Sequence, residues 1–461
     1  MTIAAIATPP GRGAIAIVRC SGPDARAIAA RVFRSREPLR DRVATYGEVV
    51  DADGAVIDRG LALAMDAPRT VTGEDVVELH VHGSPIVARE TLRALLHAGA
   101  RAAQPGEFTR RAFLNRKLDL SAAEAVADVI DAETRAAARA AQANLAGGLR
   151  AEVDKARAAL ATILEELAGA IDYPDEVPEP PRARVAAAVA AVDDGLAALM
   201  RDWERGRLVR EGLSLAIVGP PNAGKSSLLN ALLGEERAIV SEIAGTTRDV
   251  IEDRFAVDGV LVRVLDTAGL RATDDAIERI GVDRAQRALD AAAVALVVVD
   301  GARPLDPDAR AVLARTRNRP RVVLFNKRDL GTTGYAARDP EEHDALCGSV
   351  LRQAQDDGVR AQDGGTEETL AAVRHAIALA GWHGDTPDLT RPHLASARQA
   401  DAVARAREAF AHAAATLAAD EPLDLVVPDL LVAVASLGEI TGAAATEAIL
   451  DGVFARFCIG K

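Results

Sequence analysis

The run Gly219-Pro220-Pro221-Asn222-Ala223-Gly224-Lys225-Ser226 constrains this chain more than any other stretch. It follows the apolar segment Leu215-Ala216-Ile217-Val218 and leads into a helix-forming stretch. The chain must therefore place a strand, a tight glycine loop and a helix N-terminus in succession. In that setting the loop N–H groups surround phosphates, Lys225 reaches the β and γ oxygens, and Ser226 offers a hydroxyl to magnesium.

Three further motifs follow in order. In Gly245-Thr246-Thr247-Arg248-Asp249, a threonine can set its hydroxyl on magnesium and its amide on the γ-phosphate. Asp266-Thr267-Ala268-Gly269 closes a strand, so Asp266 can hold magnesium through water and the Gly269 amide can meet the γ-phosphate. Asn326-Lys327-Arg328-Asp329 closes another strand; Asp329 can accept from both guanine N–H groups, which adenine does not offer, with the Lys327 stem under the base. The four motifs point to binding and hydrolysis of GTP. The expected nucleotide contacts are Asn222, Ala223, Gly224, Lys225, Ser226, Ser227, Ser241, Thr246, Thr247, Asp266, Thr267, Ala268, Gly269, Asn326, Lys327 and Asp329, with Lys225 also counted as catalytic. Many small GTPases place a water-orienting Gln after the Asp-Thr-Ala-Gly run, but here Leu270 stands there and cannot orient water. Asn222, as an oxygen donor to a monovalent cation, and Glu278, as a water-positioning carboxylate, are the nearby candidates.

At 461 residues the chain exceeds one ordinary domain. Its net charge of −13 argues against a broad basic face for nucleic acid. Cys20, Cys347 and Cys458 show no paired spacing, so neither a disulfide framework nor a zinc site is indicated. No signal peptide or membrane span is read, and a cytoplasmic location is expected. Only five lysines stand among the 55 Lys and Arg residues: Lys117, Lys155, Lys225, Lys327 and Lys461. In an arginine-rich chain, a retained lysine marks a candidate position for a compact ammonium.

Residues 1–118 read as mixed α/β, with strands at Ile15-Ala16-Ile17-Val18 and Val76 to Val81 and a helix over 86–98. Leu149, Val153, Ala156, Leu160, Ile163, Leu167 and Ile171 fall on one helical face, as do Val185, Val189, Val192, Leu196, Leu199 and Trp203. Between about 211 and 381, apolar runs at 215–218, 260–265, 293–299 and 321–325 alternate mostly with helices, the pattern of a doubly wound sheet. Residues 394–418 and 429–457 read as helical again. The expected architecture is multidomain, α/β plus α. An α+β domain covers 1–118, a discontinuous helical domain covers 119–210 and 382–461, and a Ras-like P-loop domain at 211–381 is inserted into it.

Pro221 to Asn230, with Ile243-Ala244-Gly245-Thr246-Thr247-Arg248-Asp249, resembles the TrmE–Era class of GTPases. Three more stretches narrow the resemblance to bacterial tRNA modification GTPases of the MnmE type: Ala7-Thr8-Pro9-Pro10-Gly11-Arg12-Gly13, Pro105 to Asn115, and the terminal Phe457-Cys458-Ile459-Gly460-Lys461. The match spans nearly the whole chain. It implies an N-terminal folate-binding and dimerisation domain and a homodimer. It also implies a heterotetramer with a flavin- and NADH-dependent partner. Together they would install a (carboxymethyl)aminomethyl group at carbon 5 of the tRNA wobble uridine, with 5-formyl- or methylene-tetrahydrofolate supplying the carbon. The resemblance further implies potassium on Asn222, Ser241, Ile243 and Thr246, magnesium on Ser226 and Thr247, and Glu278 as the water-positioning group. It places folate on Arg19, Glu78, Lys117 and Lys461, and makes Cys458 a candidate nucleophile toward the uridine ring. Four of the five lysines then fall on proposed sites.

The chain departs from the family pattern at the fifth GTPase motif, where Ala361-Gln362 replaces the usual Ser-Ala, which predicts weaker guanine affinity. Ser84 stands where a second glycine is usual. A GTP-dependent, RNA-binding ribosome-assembly switch is the other reading of the P-loop domain. The helical C-terminal region, which lacks a Gly-x-x-Gly loop in an α/β RNA-binding module, weighs against it. A folate enzyme with a vestigial GTPase is disfavoured by intact Lys225, Thr247 and Asp266.

Overall fold

The structure is a computed structural model and describes residues 1–235, 253–257, 259–265, 286–327, 346–347, 364–382 and 393–460. Its first unit comprises β1 (Ile3–Ile6), β2 (Ile15–Ser21), α1 (Ala25–Val32), β3 (Phe33–Ser35), β4 (Ala44–Val50), β5 (Val56–Met65), β6 (Val76–His82), α2 (Pro85–His97), β7 (Arg101–Ala102) and α3 (Glu107–Leu114). The strands form one sheet in the order β3-β4-β5-β6-β2-β1-β7. Alternation decides its two faces. Ala16, Val18 and Cys20 of β2 join Val77, Leu79 and Val81 of β6 in a core under α1 and α2. The other face carries Ile15, Ile17 and Arg19 of β2 beside His82, His80 and Glu78 of β6. Phe108 of α3 covers the Ile3–Ala5 end of that second face.

The helical unit begins with α4 (Leu120–Asp131), α5 (Arg135–Leu145), α6 (Gly148–Asp172) and α7 (Arg182–Glu211). Asp119 caps α4 by accepting from the Ala122 amide. After the P-loop unit, α11 (Ala397–Ala418), α12 (Val427–Thr441) and α13 (Glu447–Phe454) complete it. One core joins both segments: Leu160, Ile163 and Leu167 of α6 and Val185, Val189 and Leu196 of α7 pack with Val403 and Phe410 of α11 and Leu430 and Leu437 of α12. Neither segment alone buries its apolar stripes, which is why the bundle is discontinuous. Ile171 departs from expectation at 49% exposed, because the buried register continues through Ala170 instead. The stretch 429–457, read as helical, holds two helices, α12 and α13.

The inserted unit contains β8 (Leu213–Val218), α8 (Lys225–Glu235), β9 (Asp253–Val257), β10 (Val260–Val264), β11 (Val294–Asp300), α9 (Pro307–Thr316), β12 (Arg321–Asn326), β13 (Leu346–Cys347) and α10 (Gly364–Trp382). The sheet order is β13-β12-β11-β8-β10-β9, with β9 antiparallel at one edge and the rest parallel. Both faces of β8 are buried: Leu215 and Ile217 enter one core and Ala216 and Val218 another. That double burial explains the unbroken apolar runs. In this unit two strands escaped the sequence reading. The edge strand β9 is half polar, and β13 lies within a stretch read as unpatterned. Arg254 of β9 is 2.7 Å from Glu133 beside α4, so the inserted unit rests on the α4–α5 corner. Among the described residues, no helix is long and apolar enough to cross a membrane.

Candidate functional site

The loop between β8 and α8 is built for close approach. Gly224 has φ +95°, and a Cβ there would lie 2.3 Å from Asn326 Nδ2. Only glycine meets both conditions without strain. Asn222 is held left-handed at φ +59°. Asn326, 1% exposed at the end of β12, donates from Nδ2 to the Ala223 carbonyl at 2.9 Å. Lys327 donates to the Asn222 carbonyl and pairs with Asp300 at 3.1 Å. The end of β12 and the glycine loop before α8 are thus one braced unit. Asp300 was missed by the sequence reading; its only signal was its place at the C-terminal end of the 293–299 strand, in register with Asn326.

Lys225 Nζ donates to the Gly219 and Pro220 carbonyls at 3.0 and 2.8 Å. Burial pushes its ammonium below the ordinary lysine range. A desolvated cation at a helix N-terminus, beside loop amides, is a strong anion site. Ser226 and Ser227 lie in the first turn of α8. Ser241, Ile243, Thr246, Thr247, Asp266, Thr267, Ala268, Gly269, Leu270, Glu278 and Asp329 lie outside the described residues, as do the Ala361-Gln362 pair and Lys461.

At the N-terminal sheet, the cross-strand register sets Arg19 directly opposite Glu78. Their side chains pair at 2.8 Å and are 22% and 12% exposed, and the Arg19 guanidinium lies 5.7 Å from the centre of the Phe108 ring. His80 Nε2 is 3.2 Å from the other Glu78 oxygen. Lys117 is directed elsewhere: its ammonium donates to the Pro68 carbonyl at 3.0 Å.

The C-terminal segment is docked. Phe457 is buried against Phe454, with ring centres 5.8 Å apart. Gly460 has φ +100°, and a Cβ there would lie 2.3 Å from the Ile6 carbonyl. The Gly106 amide reaches the Cys458 carbonyl at 3.5 Å, while the Cys458 side is exposed. The thiol is therefore presented between two anchored neighbours, beside β1, the strand next to Arg19. Cys20, by contrast, is buried in the sheet core, where burial pushes its thiol up to about 12 and leaves it unreactive.

Comparison with known proteins agrees with this layout. A family model described as the GTP-binding protein TrmE N-terminus matches residues 2–117, and one described as the MnmE helical domain matches residues 120–458. The chain is 44% identical over 465 residues to the tRNA modification GTPase MnmE of Chloroflexus aurantiacus, covering 100% of this chain and 99% of the relative. It is 45% identical over 467 residues to that of Symbiobacterium thermophilum and 41% identical over 466 residues to that of a Synechococcus strain, with the same coverage in both cases.

Proposed function

Because the chain belongs to the MnmE family of tRNA modification GTPases, we propose that it hydrolyses GTP to drive a one-carbon modification of the tRNA wobble uridine. The docking of the Cys458 segment against Ile6 of β1, the strand paired with the Arg19 strand, supports this reading. It joins the end of the helical unit to the sheet face where a folate would bind, which a stand-alone switch would not need.

In the GTPase unit, Lys225 would leave its loop carbonyls for the β and γ oxygens, and Ser226 and Thr247 would hold magnesium. The braced loop, the helix N-terminus and the desolvated ammonium fit that role. Asn222, Ser241, Ile243 and Thr246 would hold potassium, which would supply positive charge for hydrolysis, and Glu278 would position the water that Leu270 cannot. In the N-terminal unit, Glu78 accepts pterin N–H groups, and Arg19, Lys117 and Lys461 meet the ligand carboxylates. The half-buried Arg19–Glu78 pair, with Arg19 over Phe108, fits a planar, amide-bearing ring. A folate supplies the one-carbon unit when bound; Cys458 is the nucleophile toward the uridine ring.

The proposal extends to a cytoplasmic homodimer working with a flavin- and NADH-dependent partner protein, and to unit boundaries at 118, 210 and 381. Two measurements test it together. GTP turnover should be several-fold faster in potassium than in sodium, and equal rates would remove the cation mechanism. Cys458→Ser should abolish wobble-uridine modification in cells; undiminished modification would remove the thiol.

A further inference from the structure

Helix α3 touches both the N-terminal sheet and the end of the helical unit. One side of it is fastened to the sheet. Phe108 is buried against Ile3, Ala5 and Ala103, and the Arg19 guanidinium lies over its ring. Arg111 donates to Glu74 at 2.9 Å, to Glu107 at 3.0 Å and to the Met1 carbonyl at 2.9 Å. Asn115, just past the helix, donates to the Thr72 carbonyl at 2.7 Å. Bonds spread along one side fix both the position and the rotation of a helix.

The other side meets the helical unit. Gly106 at the N-cap, Arg110 and Phe113 recur at steps of four and three, so they form one stripe, away from Phe108. Arg110 pairs with Glu447 at 2.6 Å and with Asp451 at 3.0 Å, two carboxylates one turn apart on α13. Both partners are well exposed, so the pairs add little stability, but a two-point grip fixes the rotation of α13. The Phe113 ring lies 6.4 Å from that of Phe454, which packs on Phe457. Gly106 makes the closest approach. A Cβ there would lie 2.5 Å from the Phe454 carbonyl oxygen and 3.1 Å from the Cβ atoms of Phe454 and Phe457. Its φ of +66° is left-handed, and its amide reaches the Cys458 carbonyl at 3.5 Å. Glycine alone meets both demands without strain. The contacts to Arg19 and to the Cys458 segment thus fall on residues 108 and 106, within one turn of α3. On the other flank of Cys458, Gly460 rests on the carbonyl of Ile6 in β1, and the neighbouring Ala5 is paired with Arg19.

We propose that α3 is the spacer that sets Cys458 relative to the Arg19–Glu78 pair, with Gly106 and Arg110 as positioning residues for the thiol. This rests on the reading of Cys458 as the nucleophile and of Arg19 and Glu78 as folate contacts. A uridine ring engaged at Cys458 must meet a one-carbon unit held at the sheet face, so the spacing between the two places enters the rate directly. Misplacement by about 1 Å can cost roughly 100-fold. Gly106 and Arg110 neither touch substrate nor move a proton. They act on the rate of the bound complex, and not on the affinity for tRNA or folate.

The test uses the full-length protein with its flavin partner and a tRNA substrate. In Gly106→Ala the new Cβ must push the Phe454 carbonyl back by roughly 1 Å to reach ordinary contact. The kcat of modification should then fall about 100-fold, while KM for tRNA, binding of 5-formyl-tetrahydrofolate and GTP turnover hold. Arg110→Ala, at an exposed pair that the fold does not need, should lose several-fold in kcat, and Arg110→Lys should recover most of that loss. Unchanged kcat in both alanine variants, or a loss confined to KM or folate binding, would overturn the proposal. A nitroxide on Cys458 gives a readout independent of activity, in a Cys347→Ser background where Cys20 is too buried to label. Its electron paramagnetic resonance spectrum should show a restricted label in the parent and a freer one in Gly106→Ala. Spectra that do not differ would also overturn the proposal. Full modification by Cys458→Ser would instead sink the nucleophile reading beneath it, whatever the nitroxide reports.

Discussion

Removing the Asn326 amide tests whether the base motif and the phosphate loop act as one body. Its Nδ2 donates to the Ala223 carbonyl at 2.9 Å in a setting where Asn326 is 1% exposed. Asn326→Ala leaves that carbonyl without this partner, at a cost of about 1–3 kcal/mol for a buried hydrogen bond. The loop can relax when no phosphate is present, so most of the cost should appear on binding. At tenfold per 1.4 kcal/mol, nucleotide affinity should fall roughly 5–150-fold. The loop amides surround the α- and β-phosphates, so GDP and GTP should lose equally. Because the side chain points at the loop, inosine nucleotides should lose as much as guanine ones. Isothermal titration with GDP, a non-hydrolysable GTP analogue and IDP reads all three. GDP affinity within twofold of the parent would refute the bracing argument, and a loss confined to guanine nucleotides would show that Asn326 reads the base instead.

Other predictions follow from the same geometry. Gly460→Ala brings a Cβ within 2.3 Å of the Ile6 carbonyl at φ +100°; the strain of about 1–3 kcal/mol should undock the tail, speeding carboxypeptidase trimming while GTP turnover holds. An unchanged trimming rate would count against the docked tail. Glu107 is held at about 2, since the hydrogen bonds from Arg101, the Gln104 amide and Arg111 outweigh the upward push of burial. Its folded value lies below its unfolded one, so its stabilisation is present above about pH 4.5 and is lost as pH falls toward 2. Discounted for solvent screening, the loss is about 1–2 kcal/mol, visible as a steeper acid fall in the urea midpoint of the N-terminal unit than Glu107→Gln shows. Phe410→Ala, at a position 2% exposed in the split bundle, should destabilise that bundle by about 3–5 kcal/mol in chemical denaturation.

What could be read from the chain follows from how local each signal is. The P-loop, the parallel strands and the stripes on α6 and α7 are written in contiguous residues, because a glycine loop and an apolar period are local properties. Asp300 could not be read, because its role depends on a register between β11 and β12. Lys117 could be singled out by its type, but its partner in the structure, the Pro68 carbonyl 49 residues away, could not. The docking of the terminal Cys458 segment was not legible, because nothing within five residues of the chain end says what it rests against; its anchors are Gly106 and Ile6.

The split bundle also sets an order of events during synthesis. Helices α6 and α7 end at Glu211, and their packing partner α11 begins at Ala397, roughly 190 residues later. At bacterial elongation rates of about 5–20 residues per second, the apolar stripes of α6 and α7 wait roughly 10–40 s on the ribosome before they can be covered. The inserted unit draws its sheet from one contiguous stretch and can close within that interval. The newborn chain therefore carries a finished nucleotide-binding body behind two helices that are still uncovered, and any chaperone that attends it should engage Leu160, Ile163 and Val189 rather than the P-loop.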